Sequence, residues 1–137
     1  HGESEGNADH SLYRTKPDNQ IDLTKLGHAQ AKATGERIKA IVGDRSVVFS
    51  VSPFNRTCQT FEGIVEAGFN VKDYKADPRI REQEFGNLQD EDHIHLRTQQ
   101  QQVGRFYYRF PTGESGADVY DRAKQVSSSL LLLLSSS

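Results

Sequence analysis

The first seven residues, His1-Gly2-Glu3-Ser4-Glu5-Gly6-Asn7, put an imidazole directly before a glycine in a polar segment. A histidine beside glycine at a strand end presents one ring nitrogen to a ligand while a backbone carbonyl fixes the other, because glycine lets the main chain approach closely. Such an imidazole is a candidate nucleophile. Asn7 and the main-chain amides from Gly2 through Ser4 to Gly6 are neutral donors suited to anionic oxygens, and alternating glycines favour an anion-binding nest. Arg56, four residues after Ser52, falls in the first turn of a predicted helix whose amides already favour negative charge, and its planar fork matches phosphate oxygens. Glu82 and Glu84 lie two apart and are followed by Phe85-Gly86. An aromatic neighbour that desolvates a carboxyl raises its pKa and keeps a proton available for a leaving group. Arg79 and Arg81 in the same stretch oppose that shift. Singly, each group also has a plain reading: a terminal imidazole, an exposed helix arginine, a solvated charge cluster.

These groups need elements to position them. Residues 1–22 are rich in Gly, Asn and Asp, with Pro17-Asp18-Asn19 as turn chemistry, and read as a long loop of the kind that carries function. From Thr24 to Val42, Leu26, Ala29, Ala33, Ile38, Ile41 and Val42 recur at helical spacing, with Thr24 as N-cap and Gly43 as C-cap. Ser46–Val51 reads as a strand covered on both faces, as in a parallel sheet. Ser52 as cap and Pro53 at the first helical position then start a helix whose stripe is Phe54, Phe61, Ile64 and Val65, running to Gly68. The order helix, strand, helix predicts an α/β layered fold with ligands at the carboxyl ends of the strands. Asp90 is expected to cap a polar helix through Gln102. Ser115 and Asp118 have capping-box spacing for a helix to Val126, and Phe106-Tyr107-Tyr108-Arg109-Phe110 reads as core rather than a stacking platform.

At 137 residues the chain is one domain by length. Seventeen basic and 19 acidic residues, interspersed, leave a net charge of −2 and no field that recommends nucleic acid or an anionic membrane as partner. The longest apolar run, Leu130–Leu134, is far too short to span a bilayer. Cys58 stands alone, which fits a reducing, cytoplasmic compartment. His93 and His95, two apart on a helix, face different ways and make a poor metal pair, so no metal or other cofactor is expected. Hydrophobic content is 34% with neither Met nor Trp, which suggests that core-forming segments are missing. Oligomeric state has no signature.

The joint pattern is more specific than its parts. The opening heptad, "LTKLGHAQA" at 23–31, "SPFNRTCQT" at 52–60, "IREQEFG" at 80–86 and "GESGADVYDR" at 113–122 occur in an order that resembles the histidine phosphatase superfamily, the phosphoglycerate mutase-like proteins. The resemblance covers residues 1–126. It implies a three-layer α/β/α fold with a mostly parallel central sheet and a phosphohistidine at His1. It further implies that Arg56 clamps the transferred phosphoryl group, that Asn7 contacts phosphate, and that Glu82 protonates the leaving oxygen and then activates water. Gly2 and Ser4, from the amide reading above, are expected to contact phosphate beside Asn7. The family arginine before the histidine and a second histidine in a late turn have no counterpart here, so residues 1–126 are expected to be a partial domain truncated at both ends. Residues 127–137 read as a low-complexity tail, better explained by unassigned side chains than by a functional end.

Within the resemblance the expected reaction is hydrolysis of a phosphate monoester on a small substrate. Mutases of the family carry an aromatic residue where this chain has Gly6 and a more elaborate span after the acid. "FYYRFPTGESGADVYDR" looks most like small eukaryotic, especially fungal, phosphatase-type members, with Arg109 or Tyr107 toward the substrate. The alternatives are phosphoglycerate mutase-type transfer and a non-catalytic module that binds a phosphorylated ligand or a protein.

Overall fold

A computed structural model describes residues 1–86 and 93–135, and the side chains of 93, 94 and 130–135 are left aside. The elements are α1 (Glu5–Ala8), α2 (Lys25–Val42), β1 (Ser46–Val51), α3 (Asn55–Val65), β2 (Asn70–Ala76), α4 (His93–Val103) and α5 (Gly116–Ser135), with short 3₁₀ turns at His10–Arg14, Asp18–Gln20 and Pro78–Ile80. They fall into two compact units, His1–Pro78 and Arg79–Ser137.

In the first unit β1, α3 and β2 form a crossover in which the two strands pair in parallel, Ser46 opposite Asn70 and Val51 opposite Ala76, with an irregularity after Val47. The α/β class and the parallel pairing are those expected. Among the described residues the sheet has two strands, and β2 is a strand the sequence reading left out. The expectation that β1 is covered on both faces is corrected: Phe49 packs edge-on against Phe61 of α3 and against Phe69, while Val48, Val71 and Tyr74 stay substantially exposed. Tyr74 stacks on Phe61 at 4.6 Å between ring centroids.

α2 starts and stops where its caps predict. The Thr24 hydroxyl accepts from the Gly27 amide at 3.1 Å, and Gly43 ends the helix at φ +63°. Its buried face is not the expected stripe. Leu26 is 53% and Ile41 76% exposed, whereas Gly27, Ala31 and Gly35 are buried. Small residues at i, i+4 and i+8 let backbones approach: a Cβ on Gly35 would meet the Ile64 carbonyl oxygen at 2.4 Å, and one on Gly63 the Ala31 Cβ at 2.8 Å. α2 and α3 therefore pack almost backbone to backbone.

α3 begins two residues later than expected. Phe54 keeps extended backbone as N-cap and makes no side-chain cap bond. Its ring lies buried against the Arg56 guanidinium, 4.9 Å from centroid to Cζ, and that packing holds residue 54 outside the helix. Ser52 caps nothing. Its buried hydroxyl has no hydrogen-bond partner among the described residues, and its carbonyl accepts from the Thr57 hydroxyl at 2.9 Å. The loop predicted over 1–22 contains α1 and two 3₁₀ turns, with Ser4 bridged antiparallel to Leu23.

The second unit carries the expected capping box: the Ser115 amide donates to Asp118 Oδ2 at 2.7 Å and the Asp118 amide to Ser115 Oγ at 3.3 Å. α5 continues past Val126 to Ser135, so the backbone of most of the serine and leucine tail belongs to this helix. α4 is present; Asp90, its expected cap, lies outside the described residues. The aromatic cluster divides, with Tyr108 and Phe110 buried and Phe106 and Tyr107 exposed. Among the described residues no helix is long and apolar enough to cross a membrane.

Candidate active site

His1 and Gly2 lie across the start of α2. A Cβ on Gly2 would sit 2.3 Å from the Gly27 carbonyl oxygen, and one on Gly27 would sit 2.0 Å from that of Glu3. Only a glycine pair allows this crossing, which fixes the backbone that carries the imidazole. The His1 ring is exposed, and Nδ1 donates to the Gly2 carbonyl oxygen at 2.6 Å. Because a carbonyl only accepts, the neutral ring is protonated at Nδ1 and carries its lone pair on Nε2.

α3 fastens this segment through its polar face. The Gly2 amide donates to Thr60 Oγ1 at 3.1 Å, and that hydroxyl donates in turn to the Arg56 carbonyl at 2.6 Å. One hydroxyl thus joins the backbone beside His1 to the helical turn that carries Arg56. Asn55 and Gln59, one turn apart, both donate to Asp22 Oδ1, at 3.1 and 2.9 Å. Lys16 bridges Asp22 and Glu5 at 2.9 and 2.6 Å. Its hydrogen bonds hold both carboxylates below their usual range, and theirs hold the ammonium above its own. The polar positions of "SPFNRTCQT" at 55, 56, 59 and 60 are therefore the ties that hold the first loop.

Arg56 is 2% exposed. Its Nη1 donates to the Asp18 carbonyl at 2.6 Å and lies 2.9 Å from Asp18 Oδ1. Asp18 fixes the guanidinium plane and answers a charge that would be costly to bury alone. Ser4 is fully buried, and Asn7 is exposed. They form a reciprocal box: the Ser4 amide donates to Asn7 Oδ1 at 3.0 Å, and the Asn7 amide to Ser4 Oγ at 3.2 Å. The Asn7 oxygen is consumed in this box, which leaves its NH₂ as the donor for an anion.

The structure thus gathers His1, Gly2, Ser4, Asn7 and Arg56 within one unit. Glu82 belongs to the other. It is exposed, on irregular backbone, and the desolvation expected from Phe85 is corrected, since that ring packs edge-on against Phe110 at 5.2 Å. Arg81 pairs with Glu114, and Arg109, which is largely exposed, with Asp118. Sequence reasoning missed Asp18 as the partner of Arg56 and Thr60 as the link to Gly2. Both bonds join residues far apart, 38 and 58 positions, so local patterning gives no signal for them.

A helical crossover between parallel strands, with a histidine segment and a buried arginine tied to its helix, makes the first unit an α/β structure. The profile of the histidine phosphatase superfamily (branch 1) matches residues 1–133, and the chain belongs to that family. A phosphoglycerate mutase-like protein of Arabidopsis thaliana is 43% identical over 135 residues, covering 89% of this chain and 48% of its own length. A broad-range acid phosphatase of Saccharomyces cerevisiae is 44% identical over 66 residues, 47% of this chain and 19% of its own. The solved structure of an open-reading-frame product of Mycobacterium tuberculosis superposes with a TM-score of 0.67 at 26% identity, over 96% of this chain and 63% of that one. The chain spans about half the length of the Arabidopsis relatives it matches.

Proposed function

We propose that the protein hydrolyses a small phosphate monoester through a phosphohistidine at His1, in the cytoplasm and without a metal ion. Nε2 attacks phosphorus, a nitrogen–phosphorus bond forms and the ester oxygen leaves with a proton from the Glu82 carboxyl. Glu82, now a carboxylate, takes a proton from water as the water oxygen attacks phosphorus. The nitrogen–phosphorus bond breaks and inorganic phosphate departs. Arg56 neutralises the equatorial oxygens, with the Asn7 side-chain NH₂ as a neutral donor. The backbone amides of Gly2 and Ser4, expected to contact phosphate, are engaged instead by Thr60 Oγ1 and Asn7 Oδ1.

The Nδ1–H bond to the Gly2 carbonyl carries this reading, because in the neutral ring it puts the nucleophilic lone pair on Nε2. The named activity of the yeast relative, an acid phosphatase, supports hydrolysis as the reaction. So does Gly6. A Cβ there would lie 2.7 Å from the Tyr13 ring, so Tyr13 occupies the space that an aromatic residue at position 6 would need. Phosphate release from p-nitrophenyl phosphate, compared between the protein and His1→Ala, tests the reading; equal release would dispose of it. Isomerisation of 3-phosphoglycerate with a bisphosphoglycerate primer, in place of hydrolysis, would install the mutase reaction instead.

A further inference from the structure

Arg122, on the second turn of α5, has its five N–H groups directed at the stretch that bears Glu82 and at Glu114. Nη1 donates to the carbonyls of Arg79 and Arg81, both at 2.7 Å. Nη2 donates to the Glu82 carbonyl at 3.1 Å and to Glu114 Oε2 at 3.0 Å, and Nε to Glu114 Oε1 at 3.2 Å. Glu114 closes the bracket from the other side. Its Oε2 accepts from the Glu84 amide at 3.1 Å, its own amide donates to the Glu84 carbonyl at 2.7 Å, and its carbonyl accepts from Gln83 Nε2 at 2.9 Å. Burial alone would raise the Glu114 carboxyl, but the bonds from Arg122 and the Glu84 amide, with the charges of Arg122 and Arg81, outweigh it and hold the pKa below the ordinary value.

Residues 81–86 have neither helix nor strand to fix them. Their backbone is instead set by one mostly buried ion pair, while the Glu82 side chain stays exposed. An irregular segment can be held to the tolerance that proton transfer needs only if something rigid grips its main chain, and a guanidinium with every donor engaged is such a grip. The grip falls on carbonyls 79, 81 and 82 and on residues 83 and 84, so it encloses position 82.

We propose that Glu114 and Arg122 are positioning residues for Glu82, setting the backbone from which its carboxyl delivers the leaving-group proton. This rests on the acid role given to Glu82 above. Loss of a general acid harms a poor leaving group far more than a good one, and a loss of folded protein harms both alike. The test compares p-nitrophenyl phosphate with an alkyl phosphate for the full chain and for Glu82→Gln, Glu114→Gln and Arg122→Met. Expected is a fall in kcat on the order of 10²-fold with the alkyl ester and about 10-fold or less with the nitrophenyl ester, for all three variants and with little change in KM. Glu82→Gln with the bias and Arg122→Met with equal losses on both esters, or with none, overturns the positioning role alone. Equal losses for Glu82→Gln overturn the acid role and the proposal with it. Should Arg122→Met not fold, Glu114→Gln/Arg122→Met, which leaves no uncompensated charge in that pair, carries the same test.

Discussion

The surroundings of Arg56 and of Glu82 solve one problem, holding a charged group in place, in opposite ways. Arg56 is itself buried, sits in the first turn of a helix packed backbone to backbone on a second helix, and meets Asp18 at its tip. Glu82 is exposed on irregular chain, and it is the ion pair gripping its backbone that is mostly buried. Regular elements can aim a side chain from within the core; a loop that must leave its carboxyl in solvent needs its main chain gripped by side chains from elsewhere. A phosphate clamp gains from low dielectric around it, whereas an acid that must also give a proton to and take one from mobile groups gains from access.

The comparison breaks hardest at Arg56. Arg56→Ala should lower kcat by two to three powers of ten, about 3 to 4 kcal/mol of transition-state stabilisation, and also destabilise the fold by leaving the Asp18 carboxylate without its cation. Steady-state kinetics beside thermal unfolding separates the two. Arg56→Lys should rescue much of the stability but little of the rate, because an ammonium cannot reproduce the planar fork. Equal rescue of both would mean that Asp18, not phosphate, is what the guanidinium serves.

Gly27→Ala acts on the same region through backbone alone. A methyl at 2.0 Å from the Glu3 carbonyl forces residues 1–3 away from α2 and should cost roughly 1–3 kcal/mol in denaturant unfolding. It should also lower turnover, since His1 rides on that segment. Wild-type stability for this variant would show that the crossing of Gly2 and Gly27 is slack.

A smaller effect belongs to the second unit. Ser115→Ala removes the α5 cap and should cost about 1 kcal/mol. Asp118 adds a pH signature. The Ser115 amide and hydroxyl, then Arg109, draw its pKa from 3.8 down to about 2. A carboxylate depressed in the folded state stabilises above its unfolded pKa, and that stability is lost as pH falls through the folded one. The loss therefore runs from about 4 to 2, and Asp118→Asn should flatten that part of the stability profile, read by thermal unfolding against pH. A profile with the same acid slope as wild type would refute the assignment.

What the sequence made legible was local. Thr24 with Gly43, and Ser115 with Asp118, announce helix ends within four residues of themselves, and Ser46–Val51 announces a strand by its valines and Phe49, apolar throughout apart from two serines. β2 escaped because Asn70–Ala76 is exposed along its whole length and alternates charge with apolar residues too weakly to register. α2 was placed with the right period and the wrong phase: large residues suggested one face, but close packing selected the small ones, Gly27, Ala31 and Gly35. The candidate site divides the same way. His1, Arg56 and Glu82 stood out by type and motif, while their partners Asp18, Thr60, Glu114 and Arg122 are joined to them across the fold, where periodicity says nothing.

The central claim, that His1 Nε2 takes up the phosphoryl group, is tested most directly by trapping. The protein turning over a ³²P-labelled monoester is quenched in base, and the label is mapped by peptide and by acid lability. One acid-labile, base-stable phosphate on the peptide bearing His1, absent from His1→Ala, is the expected result. Turnover with no label on that peptide, or with label on another residue that persists in His1→Ala, would contradict it.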